Sequence, residues 1–424
     1  MSADLGSFTA VFAIAVLSPL VSDAFGRRVR VSALVIEILA GAAVGPHGLG
    51  LAHTTGAVSA LSEFGLAFLI FLAGFELDFA RVRGRPIATA GLGWLVSLAI
   101  GVGIGAAAAT RSGVTSWAVV GLGIATTGLV VLLPLWRDAG MGDTAIGALG
   151  SAIGTAGEFG PLVVLSLVLT DRSAVRTTVV LVAFALVAVG GAVLAARPKS
   201  LRVVASLTRH THGVGQLPVR ITVLILVALL WLTTSVGLDA LLGAFAAGIL
   251  VRLGSSGLDF DAVSANFDAI GYGILVPVFF VVSGMELDVG ALVRDPRAIL
   301  RVPLFLVGLL VARGTPVWLL HRRVLPRGER WPLALFSATT LPIVVVIDEL
   351  ARNAHLIDPS TSVALVTAAV LSVLAFPTAA FALLDRIPGG VPGGLAPTPP
   401  AGAADPGSDG AAEDPGRGSG PTVQ

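Results

Sequence analysis

Apolar residues along this chain fall in runs of about 20, the length that crosses a bilayer as an α-helix. The runs are separated by short stretches rich in Gly, Pro, Asp and Arg. Thirteen spans are predicted, at 8–25, 31–50, 58–80, 87–110, 116–136, 144–170, 176–196, 219–237, 239–253, 269–286, 298–320, 332–351 and 360–385. The ninth is short, and an even count with one span missed or merged is the alternative. The fold class is therefore an all-α polytopic membrane protein. After Ile387 the apolar pattern stops, and 388–424 are rich in Gly, Pro, Ala and Asp. Such a segment buries too little apolar surface to fold alone. The predicted organisation is a transmembrane domain over 1–387 and a disordered cytoplasmic tail over 388–424.

The loops set the orientation. With the N-terminus outside, nineteen Lys and Arg residues fall on the cytoplasmic side and seven on the outer side. Positive residues favour the cytoplasm, so N-out and C-in is predicted. The longest inner loop, 197–218, holds His210 and His212, which suit either a metal contact or an ordinary solvated loop.

The pattern also repeats. Gly74-Phe-Glu-Leu-Asp78 returns as Gly284-Met-Glu-Leu-Asp288, and Ala125-Thr-Thr127 returns as Ala338-Thr-Thr340. The offsets are 210 and 213 residues, relating spans three and five to spans ten and twelve. A shift of seven spans reverses direction across the membrane, which is the mark of inverted-topology repeats in secondary transporters. Spans five and twelve are both interrupted, at Thr126-Thr127-Gly128 and at Thr339-Thr340-Leu341-Pro342. Broken helices at mid-membrane present carbonyls and helix ends that bind ions. Equivalent breaks in equivalent spans predict two crossing broken helices with Thr126, Thr127, Thr339 and Thr340 at the crossing.

Few polar groups lie deep in the spans. Glu158 sits near the middle of 145–169, and an intramembrane carboxylate is costly enough to mark an ion or proton path. Thr155 lies one turn before it on the same helix face. Aligning Phe159-Gly-Pro161 with Ala375-Phe-Pro377 puts Leu374 at the equivalent position, so only one half supplies a carboxylate. Arg313 interrupts span eleven. Since Arg keeps its proton, it is either a fixed counter-charge to Glu158 or a snorkelling side chain. Glu37 lies within span two, as a pathway residue or a helix contact. Glu76, Asp78, Glu286 and Asp288 close their spans, and Asp348, Glu349 and Arg352 are expected at an outer polar mouth.

Composition narrows the function. The chain is 55% hydrophobic and 12% charged, with mean hydropathy +0.92, whereas soluble domains carry about 25% charged residues. The net charge of +1 comes with no basic patch interleaved with aromatics, so no nucleic-acid partner is expected. The absence of cysteine excludes disulfides, thiolate metal sites and a Cys nucleophile. The start, 1–6, lacks a positive n-region, so the first span is predicted to be retained. Glycine patterns such as Gly101-Val-Gly-Ile-Gly105 lie in an apolar span with no strand before them, so they fit helix packing rather than phosphate binding. No cofactor or structural metal is expected.

These features together resemble the monovalent cation:proton antiporter family, in its Kef-type branch. The resemblance covers about 1–387. It rests on Glu37-Ile-Leu-Ala-Gly-Ala-Ala-Val-Gly-Pro46, Phe71-Leu-Ala-Gly-Phe-Glu-Leu-Asp78, Ala125-Thr-Thr127, the Glu158 segment, Val276-Pro-Val-Phe-Phe280 and Ala338-Thr-Thr-Leu-Pro342. It implies a dimerisation domain, hence a homodimer, and a mobile core. It also implies exchange of sodium or potassium for protons at the crossing by an elevator-like movement. Two departures stand out. The family often carries Asp-Asp or Asn-Asp on the sixth span, where this chain has Gly157-Glu158. Many Kef-type chains also carry a cytoplasmic nucleotide-binding domain, which the short tail here is not expected to form.

The leading expectation is an electroneutral cation/proton antiporter in the lipid of the cell membrane. Proton-driven export of a small organic or ionophore-like solute is the alternative within transport. A membrane-embedded accessory or biosynthetic enzyme is the alternative from another class. It is disfavoured because no His-Glu-x-x-His motif or cysteine is present.

Overall fold

In hydrocarbon each backbone N–H and C=O must be satisfied within its own segment or by its neighbours, so apolar runs of this length fold as helices. The computed structural model describes residues 2–25, 33–76, 85–108, 114–141, 144–168, 217–236, 240–254 and 260–387. Among them there is no strand. The helices are α1 (Ser2–Phe25), α2 (Ala33–Val44), α3 (Gly56–Phe75), α4 (Arg85–Ala108), α5 (Val114–Ile124), α6 (Leu129–Asp138), α7 (Ala145–Val168), α8 (Leu217–Ser235) and α9 (Ala240–Gly254). They continue as α10 (Phe260–Ile270), α11 (Val276–Met285), α12 (Gly290–Arg294), α13 (Pro296–Leu309), α14 (Thr315–Leu320), α15 (Arg327–Ala338), α16 (Pro342–Asn353) and α17 (Pro359–Leu384). Eight helical segments among the described residues are long and apolar enough to cross a membrane, and three shorter apolar helices accompany them. The seventh expected span, 176–196, lies outside the described residues, as do Asp78, His210, His212 and the tail 388–424, so the count of thirteen stays an expectation.

Two boundaries differ from the sequence pattern. The apolar run predicts span two over 31–50, but α2 ends at Val44. Gly45 and Pro46 come next, and Gly50 adopts φ +66°, so the apolar run leaves the helix through a glycine- and proline-rich turn. The second difference is a pair of π-helical turns, at Gly271–Leu275 and Leu310–Gly314. Each precedes a helix with proline at its second residue, Pro277 or Pro316. Proline lacks an N–H and its ring crowds the carbonyl four residues back, and a wider turn relieves both.

The repeat organises the packing. Helix α2 packs on α11, and α3 packs on α9. Each pair takes one helix from each half, as a pseudo-two-fold relation between the halves requires. Glycine makes the approach possible. A Cβ on Gly41 would strike the carbonyl of Val281, and one on Gly284 would strike that of Ile38. Gly74 and Gly248 meet the carbonyls of Phe245 and Phe71 in the same reciprocal way. Such small-residue contacts stand in for the hydrophobic drive that lipid does not supply. The second body gathers α4 to α7 with α13 to α17, and its core includes Trp136, Phe305 and Phe336, all buried.

Candidate functional site

Helix α5 ends at Ile124 and α6 begins at Leu129, so Thr126–Gly128 form an irregular link. Pro134 falls inside α6, which leaves the break to the Thr-Thr-Gly run. Helix α15 ends at Ala338 and α16 begins at Pro342. Proline there disfavours helical backbone at the residue before it, and Leu341 adopts φ −154° and ψ −58°.

The two links touch. Thr126 Oγ1 and Thr340 Oγ1 share a hydrogen bond of 2.7 Å, and Gly128 N donates to Thr339 O at 2.9 Å. Thr126, Thr127, Thr339 and Thr340 are all buried. Each break juxtaposes a carbonyl-bearing helix end with an amide-bearing one, so partial charges of both signs meet at one depth. A third helix braces each link. In the first half, Thr127 N donates to Gly157 O of α7 at 3.3 Å. In the second, Thr340 N donates to Ser372 Oγ of α17 at 3.1 Å, and Ser372 donates back to Thr340 O at 2.9 Å. Thr339 Oγ1 is turned to its own helix and donates to Leu335 O at 3.1 Å.

Arg313 lies in the second π turn and is 1% exposed. Its guanidinium stays at the crossing rather than snorkelling to a surface. Nε and Nη2 donate to Thr127 Oγ1 at 2.8 and 2.7 Å. Nη2 also donates to Ile153 O at 3.1 Å, Nη1 to Ser97 Oγ at 3.3 Å, and Nε to Ser337 O at 3.4 Å. Thr127 in turn donates to Ser337 O. The planar fork thus ties the π turn before α14 to α4, the first link, α7 and the end of α15.

Gly157 explains how the guanidinium fits. A Cβ at 157 would lie 2.7 Å from Arg313 Nη2 and 2.8 Å from Thr127 Cβ. The missing side chain at 157 is therefore the space that Arg313 uses. Glu158 is the next residue and is 4% exposed. Phe159 stacks on Phe245 of α9, with centroids 4.7 Å apart, and Gly160 meets Trp94 of α4. At 3.6 residues per turn, Glu158 is placed between the face that meets Arg313 and the face that meets α9. It borders the seam between the two bodies. Thr155, one turn earlier, is half-buried.

Glu37 belongs to another contact. It is 2% exposed on α2, and its Oε2 has no hydrogen-bond partner among the described residues. Among the expected polar-mouth residues, Arg352 Nε donates to Asp348 Oδ2 at 3.0 Å and its Nη2 to Glu286 Oε2 at 3.3 Å. Glu76 caps the end of α3, and Asp288 is paired with Arg294. Ser97, Ser337 and Ser372 join the site without being marked by the sequence pattern. Ser337 directly precedes Ala-Thr-Thr, and that adjacency is the available signal. Among the described residues, no three His, Asp or Glu side chains form a group able to hold a metal ion.

Comparison with known proteins agrees with this geometry. A family model described as sodium/hydrogen exchanger, transmembrane, matches residues 12–386. YjbQ of Bacillus subtilis (strain 168) is 25% identical over 400 residues, covering 88% of this chain and 62% of its own length. The glutathione-regulated potassium-efflux system protein KefC of Klebsiella pneumoniae (strain 342) is 26% identical over 375 residues, covering 85% of this chain and 58% of its own. The chain thus spans about three fifths of the length of these relatives. Among solved structures, the sodium proton antiporter MjNhaP1 from Methanocaldococcus jannaschii superposes with a TM-score of 0.65 at 17% identity, covering 89% of this chain and 98% of that one. The fold is shared with that structure.

Proposed function

The chain belongs to the sodium/hydrogen exchanger family, and from that premise we propose that it exchanges a monovalent cation for protons across the cell membrane. One observation carries the reading. A single buried carboxylate, Glu158, adjoins the contact of two broken helices, and a neighbouring guanidinium is held by neutral oxygens. Relatives named for Na(+)/H(+) antiport and potassium efflux support the substrate class.

In this reading Glu158 holds either one proton or one cation. The hydroxyls of Thr126 and Thr340 and the carbonyls of the two links, with Thr155, replace part of the ion's hydration shell, while the Thr127 hydroxyl serves the site by holding Arg313. Arg313 supplies a fixed positive charge that favours the ionised carboxylate once the proton leaves. The loaded and protonated sites carry the same charge, so exchange is electroneutral. The body containing the crossing moves against the α2–α11 and α3–α9 body, within a homodimer whose N-terminus faces outside. Orphan backbone groups at the two breaks stay inside protein, which is where irregular backbone is tolerated at membrane depth.

The test is proton flux in proteoliposomes driven by a sodium, potassium or choline gradient. Sodium or potassium should drive flux and choline should not. Glu158→Gln should reduce flux to that of empty liposomes while the protein remains monodisperse. Normal exchange by that variant would remove Glu158 from the cycle.

A further inference from the structure

Helix α4 sends two side chains to the crossing. Ser97 accepts from Arg313 Nη1 at 3.3 Å. Trp94, one turn before it and 7% exposed, donates from its indole Nε1 to Ala125 O at 3.1 Å. Glycine sets how closely α4 and α5 run. A Cβ on Gly101 would lie 2.6 Å from the carbonyl oxygen of Gly121, and one on Gly105 would lie 2.6 Å from that of Trp117. The Trp94 ring also lies against α7, because a Cβ on Gly160 would sit 2.6 to 2.7 Å from its carbons. Gly160 is two residues after Glu158. One indole thus touches both the helix end that opens the first link and the helix that carries the carboxylate.

Ala125 directly follows the last residue of α5, so its carbonyl belongs to the negative end of that helix. A carbonyl at that position has no donor within its own helix, and it is a natural oxygen ligand for a cation. Trp94 supplies the donor instead. Thr126 Oγ1 does the same for Gly123 O at 2.7 Å. The repeat offset of 213 residues carries α4 onto the segment that holds Arg313. Arg313 Nε donates to Ser337 O, near the second break, at 3.4 Å. Each half therefore sends a donor from the corresponding helix to a carbonyl beside a break, a neutral indole in the first half and a guanidinium in the second. An indole N–H is a donor only. It occupies the Ala125 carbonyl without adding charge beside Glu158.

We propose that Trp94 is a positioning residue that sets the choice between sodium and potassium, by keeping the Ala125 carbonyl out of the ion's ligand shell. The proposal rests on the reading of the crossing as the ion site. Selection among alkali ions depends on the number of oxygens that close around them. A buried carbonyl that loses its donor is costly to leave unpaired, so it turns to the bound cation. The added oxygen favours the larger ion, potassium.

The test is thermal unfolding of the purified full chain, titrated with sodium or potassium chloride at constant ionic strength in choline chloride. The saturable rise in melting temperature gives a midpoint for each ion. Trp94→Phe keeps a ring against Gly160 and loses the N–H. It should raise the ratio of the sodium midpoint to the potassium midpoint at least threefold. Gly160→Ala keeps the N–H but pushes the ring away from α7. It should move the ratio in the same direction, by a route that does not need the Phe variant to fold. A tryptophan that only packs would lower the melting temperature in choline and leave the ratio untouched. A ratio unchanged or lowered in both variants, with cation binding intact in the parent chain, overturns the proposal and leaves the exchange reading standing. No saturable effect of either ion on the parent chain removes the crossing as an ion site, and both readings with it.

Discussion

The α5–α6 and α15–α16 breaks share Ala-Thr-Thr, but the helices that leave them, α6 and α16, differ in kind. In α6, the positions 213 residues before Asp348 and Glu349 are Leu135 and Trp136. Trp136 packs edge-on against Phe336 at 5.6 Å and beneath Gly150, so α6 is held inside its own body by apolar contact. Helix α16 instead carries Asp348, Glu349 and Arg352, and Arg352 reaches across the seam to Glu286. The braces differ as well. Gly157 lends the first link a backbone carbonyl and leaves room for Arg313, whereas Ser372 lends the second a hydroxyl. The halves share the crossing itself. The guanidinium of Arg313 binds the first half's link at Thr127, and the charged reach across the seam, Arg352 to Glu286, comes from the second half's α16.

The largest expected effect in this comparison comes from Arg313. Arg313→Gln removes a charged donor from a hydroxyl and carbonyl cluster, and each such hydrogen bond is worth about 1.5–3 kcal/mol. Exchange should collapse and thermal stability fall, with Arg313→Lys recovering stability only in part because it lacks the planar fork. Unchanged transport by the Gln variant would detach the guanidinium from the crossing. Next comes Gly157→Ala. Its methyl group would sit against Arg313 Nη2 and Thr127, and overpacking of this kind costs about 1–3 kcal/mol. The apparent KM for the cation should rise more than the melting temperature falls. An unaltered KM would mean that Arg313 does not need the space at 157.

In the other half, Ser372→Ala removes the brace on Thr340, a loss of about 1 kcal/mol. Its effect on cation KM should be smaller than that of Gly157→Ala, and the reverse order would invert the comparison. The smallest effect is at Asp358, which caps α17, the helix that carries Ser362 and Ser372. Burial opposes ionisation of Asp358, but hydrogen bonds from Ser360 and Thr361, with Arg301 nearby, outweigh it and hold its carboxyl below the ordinary range. A depressed carboxyl gives stability that is present above the unfolded value near 4 and lost as pH falls through the folded value. Asp358→Ala should therefore lower stability by about 1 kcal/mol at neutral pH, and by less in acid. A loss that does not shrink with acidification would point to packing instead.

The crossing was legible because Thr-Thr-Gly and Thr-Leu-Pro punctuate otherwise apolar runs, and because two short matches keep one spacing. Arg313 was legible as an intramembrane charge. Its described partners were not, since the carbonyls of Ile153 and Ser337 leave no mark in a sequence. Gly157 reads as a missing polar side chain, and only the fold shows a guanidinium lying over it. The π turns were equally hidden, because Pro277 and Pro316 announce a disturbance without saying which kind. The early end of α2 follows from Gly45-Pro46, a local signal that the length of the apolar run masked.

The central claim is that one carboxylate, Glu158, carries either a proton or a cation. The most direct measurement is the exchange rate in proteoliposomes with the membrane potential clamped at several values. One net charge per cycle would be worth about 2.3 kcal/mol per 100 mV. A single shared carboxylate predicts a rate that does not change with potential, and no potential generated by the cation gradient alone. A rate that varies steeply with potential would contradict it and bring a second carboxylate into the cycle, with Glu37 the first to replace by Gln.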